Sequence, residues 1–214
     1  MIRPLDWDSR HFQCRIGRVE GETPETDPSF DCLYFLADAG NSVARQQALG
    51  LSFVEMGERV RLHSAELEAL PGGGVRAAQT EDVDTLAAIE YPETRFALDT
   101  HFPRERVAAM YRHWTEKLIA STFVAIEDGA VAGYVACDQE APKLRISLIG
   151  VVEEFRGRGV ASRLLNGARV LASQRGLRGL TVITQASNDA ALRLYHRHGF
   201  REVSRQTWFH WWRA

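Results

Sequence analysis

The chain of 214 residues is 45% hydrophobic and 25% charged, which is the composition of a globular protein with one or two hydrophobic cores. Its 26 Lys and Arg residues nearly balance 28 Asp and Glu residues, so the net charge is -2. This composition excludes a disordered or collagen-like chain. It also makes nucleic acid or a membrane surface an unexpected partner, because both attract strongly basic proteins. A small-molecule partner is favoured.

Cysteine usage and the first residues bear on the cellular compartment. Cys14, Cys32 and Cys137 occur without a CxxC pair, and residues 1–12 carry too many charges for a signal peptide. The apolar runs are far shorter than the roughly 20 residues of a membrane-spanning helix. We therefore expect a reduced, cytoplasmic protein without a metal site, in which each cysteine is a small buried side chain.

Residues 71–74, with the sequence Pro-Gly-Gly-Gly, are typical of a linker, because few helices or strands tolerate this composition. They predict an N-terminal α/β domain over residues 1–70 and a second domain over residues 75–214. The first is small for an independently stable domain, so we expect it to pack against the second.

The second domain is predicted to alternate strands and helices. Its first half comprises a strand over 75–78, a helix begun by Thr80, a loop over 91–103, a helix over 104–120 and a hairpin over 122–137 that turns at Asp128-Gly129. Its second half comprises a strand over 143–152, a helix from Val160 ended by Gly176, a strand over 180–184, a helix capped by Ser187 or Asn188 and ended by Gly199, and a strand over 202–212. This order predicts an α/β fold with a mixed, mostly antiparallel central sheet flanked by helices.

A glycine-rich segment lies where a buried strand turns into a helix, and its sequence is Arg156-Gly157-Arg158-Gly159-Val160-Ala161. Glycine permits close approach of the backbone to a ligand, and the first amides of a helix are unpaired donors, so the segment predicts a pyrophosphate site. It lacks the GK[ST] of a Walker A loop and the third glycine of GxGxxG. A tight turn with solvated arginines is the alternative.

A second motif follows about 30 residues later, with Asn188, Ala191, Tyr195, Gly199 and Phe200 at fixed positions. Arg-x-x-Gly-x-Ala followed at this distance by Asn-x-x-Ala-x-x-x-Tyr-x-x-x-Gly-Phe resembles the GNAT superfamily of acyl-CoA-dependent N-acetyltransferases. The resemblance covers residues 75–212. It implies the GNAT fold and acetyl-CoA as the co-substrate.

The resemblance implies a role for individual residues. The main chain of Ile149 and Val151 matches positions that pair with the pantetheine arm, and the Val151 amide matches an oxyanion donor. Asn188 matches a side chain that contacts coenzyme A, and Tyr195 matches the general acid that protonates the departing thiolate. The pyrophosphate positions are Arg156, Gly157, Arg158, Gly159, Val160 and Ala161. Glu153 stands where many members have Pro, and this difference affects the stiffness of the turn more than its chemistry.

The chemistry of the residues agrees with these roles. Asn188 and Tyr195 are two helical turns apart and so lie on one helix face. A tyrosine hydroxyl, with an ordinary pKa of about 10, is protonated at neutral pH and can donate to a thiolate whose conjugate acid has a pKa of about 8.5. The alternatives are an aromatic anchor at Tyr195 and a plain N-cap at Asn188. His196 and His198 are expected to be solvated at the helix end.

Residues outside the two motifs are expected to select the acceptor. Segments 5–19, 94–102 and 208–212 resemble the bacterial TDP-fucosamine acetyltransferase branch of the superfamily. Its members act on the 4-amino group of a dTDP-linked amino-dideoxy-galactose, which implies that residues 1–70 serve the acceptor. The candidates for acceptor binding are Arg95, Asp99 and His101. From charge alone, Arg95, Arg104 or His101 is expected to hold the nucleotide diphosphate. A solvated helix start is the alternative for these cations.

The sequence leaves other functions open. The acceptor can be another small amine, such as an aminoglycoside, a polyamine or an amino acid. A non-catalytic acyl-CoA-binding module is a third possibility, but the presence of both Asn188 and Tyr195 argues against it.

Direct transfer requires an acceptor amine that has lost its proton. An amine with a pKa of about 8 is partly neutral at pH 7, so a weak base or a chain of water molecules suffices. The base candidates, by position in the predicted loop, are Glu90, Glu93, Asp99 and His101. An acyl-cysteine route through Cys137 is discounted, because no histidine partner is recognisable.

The segment from Asn41 to Gly50 is similar to the segment from Asn188 to Gly199, although it is two residues shorter and has no tyrosine. It predicts a degenerate half of the same fold without a cofactor loop, with chance similarity as the alternative. No catalytic residue is assigned to residues 1–70.

The last strand is rich in tryptophan. Strand alternation places Trp208 and Trp212 on one face and Trp211 on the other. A core contact or a homodimer contact is favoured over stacking on a nucleotide base.

Overall fold

The computed structural model describes residues 1–68 and 74–213. The first elements are β1 (Ile2–Pro4), α1 (Asp6–Phe12), β2 (Ile16–Val19), β3 (Cys32–Asp38), α2 (Ser42–Gly50) and β4 (Val54–Ser64). They are followed by β5 (Val75–Ala77), α3 (Val83–Ala87), α4 (Arg95–Leu98), α5 (Arg104–Leu118), β6 (Thr122–Glu127), β7 (Ala130–Glu140), β8 (Lys143–Val151), α6 (Val160–Gln174), β9 (Leu180–Gln185), α7 (Asp189–Arg197) and β10 (Arg201–Trp212).

All ten strands form one sheet in the order β1-β2-β3-β10-β4-β9-β8-β7-β6-β5. The pairs β2–β3 and β8–β9 are parallel, and the other neighbouring strands described are antiparallel. This confirms the predicted mixed, mostly antiparallel sheet flanked by helices. Because β10 lies between β3 and β4, N-terminal and C-terminal strands share one ladder of backbone hydrogen bonds. Of the predicted linker, residues 71–73 lie outside the described residues.

Two local predictions were wrong. The turn before α3 is capped by Gln79 and not by Thr80, because the Gln79 amide donates to the Asp82 carboxylate at 2.8 Å. The predicted loop over residues 91–103 contains the single helical turn α4. A helix of four residues is too short to show a period, and burial of Phe96 holds it in place.

The two faces of the sheet bury different clusters. On the α6 face, α6 and α7 cover a core that includes Leu62 and Val182. On the opposite face, called the α5 face, α1 and α3 to α5 cover a core that includes Tyr34 and Trp208. Trp212 packs on the α5 face with Trp208, and Trp211 packs on the other face, as the alternation predicted.

The sheet contains the same arrangement twice. In the N-terminal unit (residues 2–64), β1 pairs antiparallel with β2, β2 pairs parallel with β3, and α2 leads into β4. In the C-terminal unit (residues 130–212), β7 pairs antiparallel with β8, β8 pairs parallel with β9, and α7 leads into β10. The last strands of the two units, β4 and β10, lie side by side at the centre of the sheet. Each also pairs with the third strand of the other unit.

The helices α2 and α7 match residue by residue. Each has nine residues, and each is capped by an asparagine, Asn41 or Asn188, that accepts a backbone amide at 3.0 Å. The backbone turns left-handed after each helix, at Ser52 with φ 64° and at Gly199 with φ 74°. The first copy is therefore not two residues shorter, because Ser52 occupies the place of Gly199 and Gly50 lies inside α2. Ala48 stands where α7 has its tyrosine.

Candidate active site

A cleft of about 700 Å³ opens in the sheet between β8 and β9. The two strands pair only over Leu144–Ile146 and Leu180–Val182, and beyond this point they separate. The cleft is lined by the ends of both strands, by residues 89–96 and by α7. Its volume lies within the range of small-molecule sites.

The backbone of β8 faces this cleft at the two positions predicted to hold the pantetheine arm. The Val152 amide donates to the Ala132 carbonyl at 2.9 Å, which fixes the phase of the β7–β8 ladder. Hydrogen-bonded and non-hydrogen-bonded pairs alternate along an antiparallel ladder. Ile149 and Val151 therefore belong to non-hydrogen-bonded pairs, and their amides and carbonyls point away from β7 and towards the gap left by β9. The amides of both residues and the Ile149 carbonyl can therefore bind an extended ligand, whereas the Val151 carbonyl accepts from Arg156.

The segment 156–161 forms a turn followed by the first residues of α6. Gly157 and Gly159 have φ values of 80° and 77°, and no described atom lies within 4 Å of the position that a Cβ atom would take at either. The amides of residues 157–161 donate to no acceptor in residues 1–68 and 74–213. Open space beside a row of unpaired amides at the start of a 15-residue helix fits a pyrophosphate group.

The two arginines of this segment differ in position. Arg156 lines the cleft and donates from Nε to the Val151 carbonyl at 3.3 Å. Arg158 is exposed and pairs with Asp128 of the β6–β7 turn at 3.0 Å. An exposed ion pair of this kind contributes little to stability, so Arg158 can exchange its partner for a phosphate.

Asn188 and Tyr195 both line the cleft from α7. The Asn188 side chain caps the helix through the Ala191 amide. Tyr195 is 2% exposed, its ring lies 5.4 Å from the ring of Phe200, and no described residue forms a hydrogen bond with its hydroxyl. Burial raises the pKa of Tyr195 above its ordinary value, so the hydroxyl keeps its proton at neutral pH.

The cleft connects the two faces of the sheet. Tyr195 belongs to the core on the α6 face, whereas Tyr111 and Trp208, which also line the cleft, belong to the core on the α5 face. The gap between β8 and β9 is therefore reachable from segment 156–161 on one face and from α5 on the other.

Arg95 lies in the cleft wall on the α5 face. Its guanidinium carbon lies 4.3 Å from the ring centroid of Trp208 and 4.0 Å from that of Tyr34. Its NH1 group donates to Nε2 of His210 at 2.8 Å. Burial lowers the pKa of Arg95 from its ordinary value.

Asp99 and His101 do not line the cleft as the structure describes it. Asp99 is 2% exposed and accepts hydrogen bonds from His210 Nδ1, from Trp212 Nε1 and from the His101 amide and ring. Burial alone would raise the pKa of Asp99, but these four hydrogen bonds hold it below its ordinary value. Its carboxylate therefore supports the site from behind and has no free oxygen for an acceptor.

Asp99 acts on the cleft through His210. Burial lowers the pKa of His210 to about 4, so the ring is neutral at pH 7. Because Nδ1 donates to Asp99, Nε2 carries no proton and accepts from Arg95. Sequence reasoning missed His210, since nothing in the local pattern links the last strand to α4.

Of the other residues predicted to act in catalysis or binding, two glutamates line the cleft. Glu90 and Glu93 line the cleft, and the Ser187 hydroxyl donates to Glu93 at 3.1 Å. Arg104 is exposed at the start of α5. Cys137 is fully buried in the core on the α6 face, and burial raises its pKa to about 12. A thiol in this environment is a poor nucleophile.

The described residues contain neither a candidate metal site nor a candidate membrane-spanning helix. No group of three or more His, Cys, Asp and Glu side chains in residues 1–68 and 74–213 could hold a metal ion. No helix in the same ranges is long and apolar enough to cross a membrane. The cytoplasmic location, the homodimer contact and the exclusion of nucleic acid stay predictions.

Comparison with known proteins defines the class. Residues 83–200, more than half of the chain, match the model of the acetyltransferase (GNAT) family, and the chain belongs to this family. It is an acyl-CoA-dependent N-acetyltransferase that uses acetyl-CoA as co-substrate.

Individual relatives refine this picture. The chain is 27% identical to the dTDP-fucosamine acetyltransferase of Escherichia coli, over 98% of this chain and 97% of that protein. It is 30% identical to N-alpha-acetyltransferase 30 of Schizosaccharomyces pombe, over 45% of this chain and 67% of that protein. Among solved structures, a putative GNAT acetyltransferase from Novosphingobium aromaticivorans is similar with a TM-score of 0.58 and 17% identity, covering 90% of this chain and 75% of that one. This structural similarity shows the fold.

Proposed function

We propose that the protein transfers an acetyl group from acetyl-CoA to the 4-amino group of a dTDP-linked amino-dideoxy sugar. The observation that carries the proposal is the cleft through the sheet, with anion-binding elements on both faces: segment 156–161 on one side and Arg95 on the other. The similarity to the dTDP-fucosamine acetyltransferase supports it, because it extends over residues 1–70 as well as over the GNAT domain.

The acyl donor is assigned to the α6 face. The pyrophosphate binds the amides of residues 157–161, the pantetheine arm pairs with the backbone of Ile149 and Val151, and the Asn188 side chain contacts the same arm. The Val151 amide, which β7 leaves unpaired, donates to the thioester oxygen as negative charge develops there.

Tyr195 is the general acid. The acceptor nitrogen attacks the thioester carbon, the C–S bond breaks, and the leaving thiolate takes the proton of the Tyr195 hydroxyl. The amine proton leaves to water or to a nearby carboxylate, and Tyr195 recovers its proton from solvent. Burial raises the pKa of Tyr195, so the hydroxyl carries its proton at neutral pH and is a hydrogen-bond donor when the thiolate forms.

Proton removal from the acceptor needs only a weak base. An amine with a pKa of about 8 is already partly neutral at pH 7. Glu90 and Glu93 line the cleft and are the carboxylates in position to receive its proton directly or through water. His101 is more than half exposed and bound to Asp99, so it is not assigned this role.

The proposal is tested by the release of free thiol from acetyl-CoA. We expect the dTDP-linked 4-amino sugar to give a higher kcat/KM than an aminoglycoside, a polyamine or an amino acid. With the sugar nucleotide, Y195F should lower kcat at least about 100-fold, because general acid catalysis contributes this much. Acetyl-CoA affinity should change little.

Y134F is the matched control. The Tyr134 hydroxyl accepts from Tyr91 at 2.8 Å, and Tyr134 lies outside the described cleft lining. Loss of this hydroxyl in Y134F should lower the free energy of unfolding by about 1 kcal/mol and leave kcat within about threefold of the wild-type value. Equal turnover of Y195F and wild type would refute the acid role, and preference for another amine would refute the acceptor.

A further inference from the structure

Three arginines surround one tryptophan on the α5 face. The guanidinium carbons of Arg95, Arg59 and Arg18 lie 4.3, 5.1 and 5.5 Å from the ring centroid of Trp208. Arg59 and Arg95 line the cleft. Arg59 comes from β4 and Arg18 from β2, so the N-terminal unit supplies two of the three cations.

No described carboxylate forms an ion pair with any of the three. Arg59 donates to the neutral side chain of Gln206 and Arg95 to His210, while Nε of Arg18 is buried without a described partner. Asp8 acts on Arg95 electrostatically, without a hydrogen bond. Clustered like charges repel each other, and their contacts with the Trp208 ring compensate only in part.

The guanidinium groups keep donors free for a ligand. Each arginine has five N–H donors in a planar fork that matches phosphate geometry. Arg59 uses Nε and NH2 on Gln206, which leaves NH1 without a described partner. Arg95 is fixed by the Asp99–His210 pair, so its orientation is set before a ligand arrives.

We infer that Arg59 and Arg95, stacked on Trp208, form a second anion site of the cleft, which binds the diphosphate of the acceptor. Arg18 also lies over the Trp208 ring but outside the cleft lining, and it adds to the positive potential. The inference rests on the proposed function and deepens it, since it explains why the acceptor carries a nucleoside diphosphate. A neutral amine without a phosphate group would leave the positive charge of the arginine cluster uncompensated.

The test is calorimetric titration of inorganic pyrophosphate into the protein saturated with coenzyme A, so that segment 156–161 is already occupied. We expect wild type to bind pyrophosphate and R59Q to bind it about tenfold more weakly, as expected for the loss of a charged hydrogen bond. R59K, which keeps the charge but loses the planar fork, should fall between them.

R61Q is the matched control, because Arg61 lies two residues along β4 on the same face and is 38% exposed. It removes one positive charge without removing a contact to the ligand, so affinity should change less than about threefold. With the sugar nucleotide, R59Q should raise KM about tenfold and leave kcat nearly unchanged. Equal pyrophosphate affinity of R59Q and R61Q would overturn the site.

Two further outcomes separate the inference from the proposed function. If coenzyme A binds but pyrophosphate does not, the second anion site is refuted and acetyl transfer is unaffected. If coenzyme A itself fails to bind, the proposed function is refuted. If succinate binds more tightly than pyrophosphate, the arginine cluster is a carboxylate site. The inference that it binds a diphosphate would then be wrong.

Discussion

The two units of the sheet share a scaffold but differ in what joins their parallel strands. In the C-terminal unit, β8 and β9 are connected through segment 156–161 and α6, whereas β2 and β3 of the N-terminal unit are connected by residues 20–31 without a helix. Ala48 of α2 occupies the place of Tyr195 in α7, and both are buried. The capping asparagines and the strand pairing are common to both units. The scaffold alone therefore does not make a catalytic site.

The N-terminal unit contributes one strand to the wall of the cleft. Its strand β4 forms part of the cleft wall, and Arg59 on that strand faces the α5 side. The pairing of β4 with β10 thus brings Arg59, from the unit without a cofactor loop, into the cleft. In our proposal one unit supplies the donor site, and the other contributes to acceptor binding.

The largest expected difference between the two units is the effect of a glycine-to-alanine substitution on acetyl-CoA affinity. Gly159 in segment 156–161 and Gly21 after β2 both have positive φ, 77° and 92°, and both face open space. Alanine at either position costs about 1 kcal/mol of stability from the left-handed backbone. Only G159A adds a methyl group at the proposed pyrophosphate site. Calorimetry should show acetyl-CoA binding at least about tenfold weaker for G159A, and unchanged for G21A. Equal acetyl-CoA affinities of G159A and G21A would show that the donor does not bind at segment 156–161.

A smaller difference is expected for the two capping asparagines. N188A and N41A each lose a helix cap, so each should lower the free energy of unfolding by about 1 kcal/mol in thermal or urea denaturation. Asn188 also lines the cleft, so N188A should lower kcat/KM for acetyl-CoA about fivefold, as expected for one hydrogen bond. N41A should retain wild-type kinetics. If both variants behave alike, Asn188 is a cap and nothing more.

Local sequence signals predicted most elements between residues 122 and 212. The hairpin at Asp128-Gly129, the strand before segment 156–161 and the cap at Asn188 depend on neighbours in the chain, and all three are present. The short helix α4 was missed because it is held by tertiary burial and not by a periodic pattern.

The acceptor side was harder to predict for a physical reason. Arg59, Arg95 and His210 come together from β4, α4 and β10, which are distant in the chain and meet only because β10 inserts beside β4. Asp99 was selected for its charge and position in the chain, but burial and four hydrogen bonds make it a support for His210. Spacing within one segment contains no information about such contacts.

We propose that one unit, and not both, binds the acyl donor. Calorimetry on the full chain measures the stoichiometry of acetyl-CoA binding and tests this directly. We expect one acetyl-CoA per chain. Two equivalents per chain would show that the N-terminal unit also holds a donor, and the absence of binding would contradict the assignment of the cleft between β8 and β9.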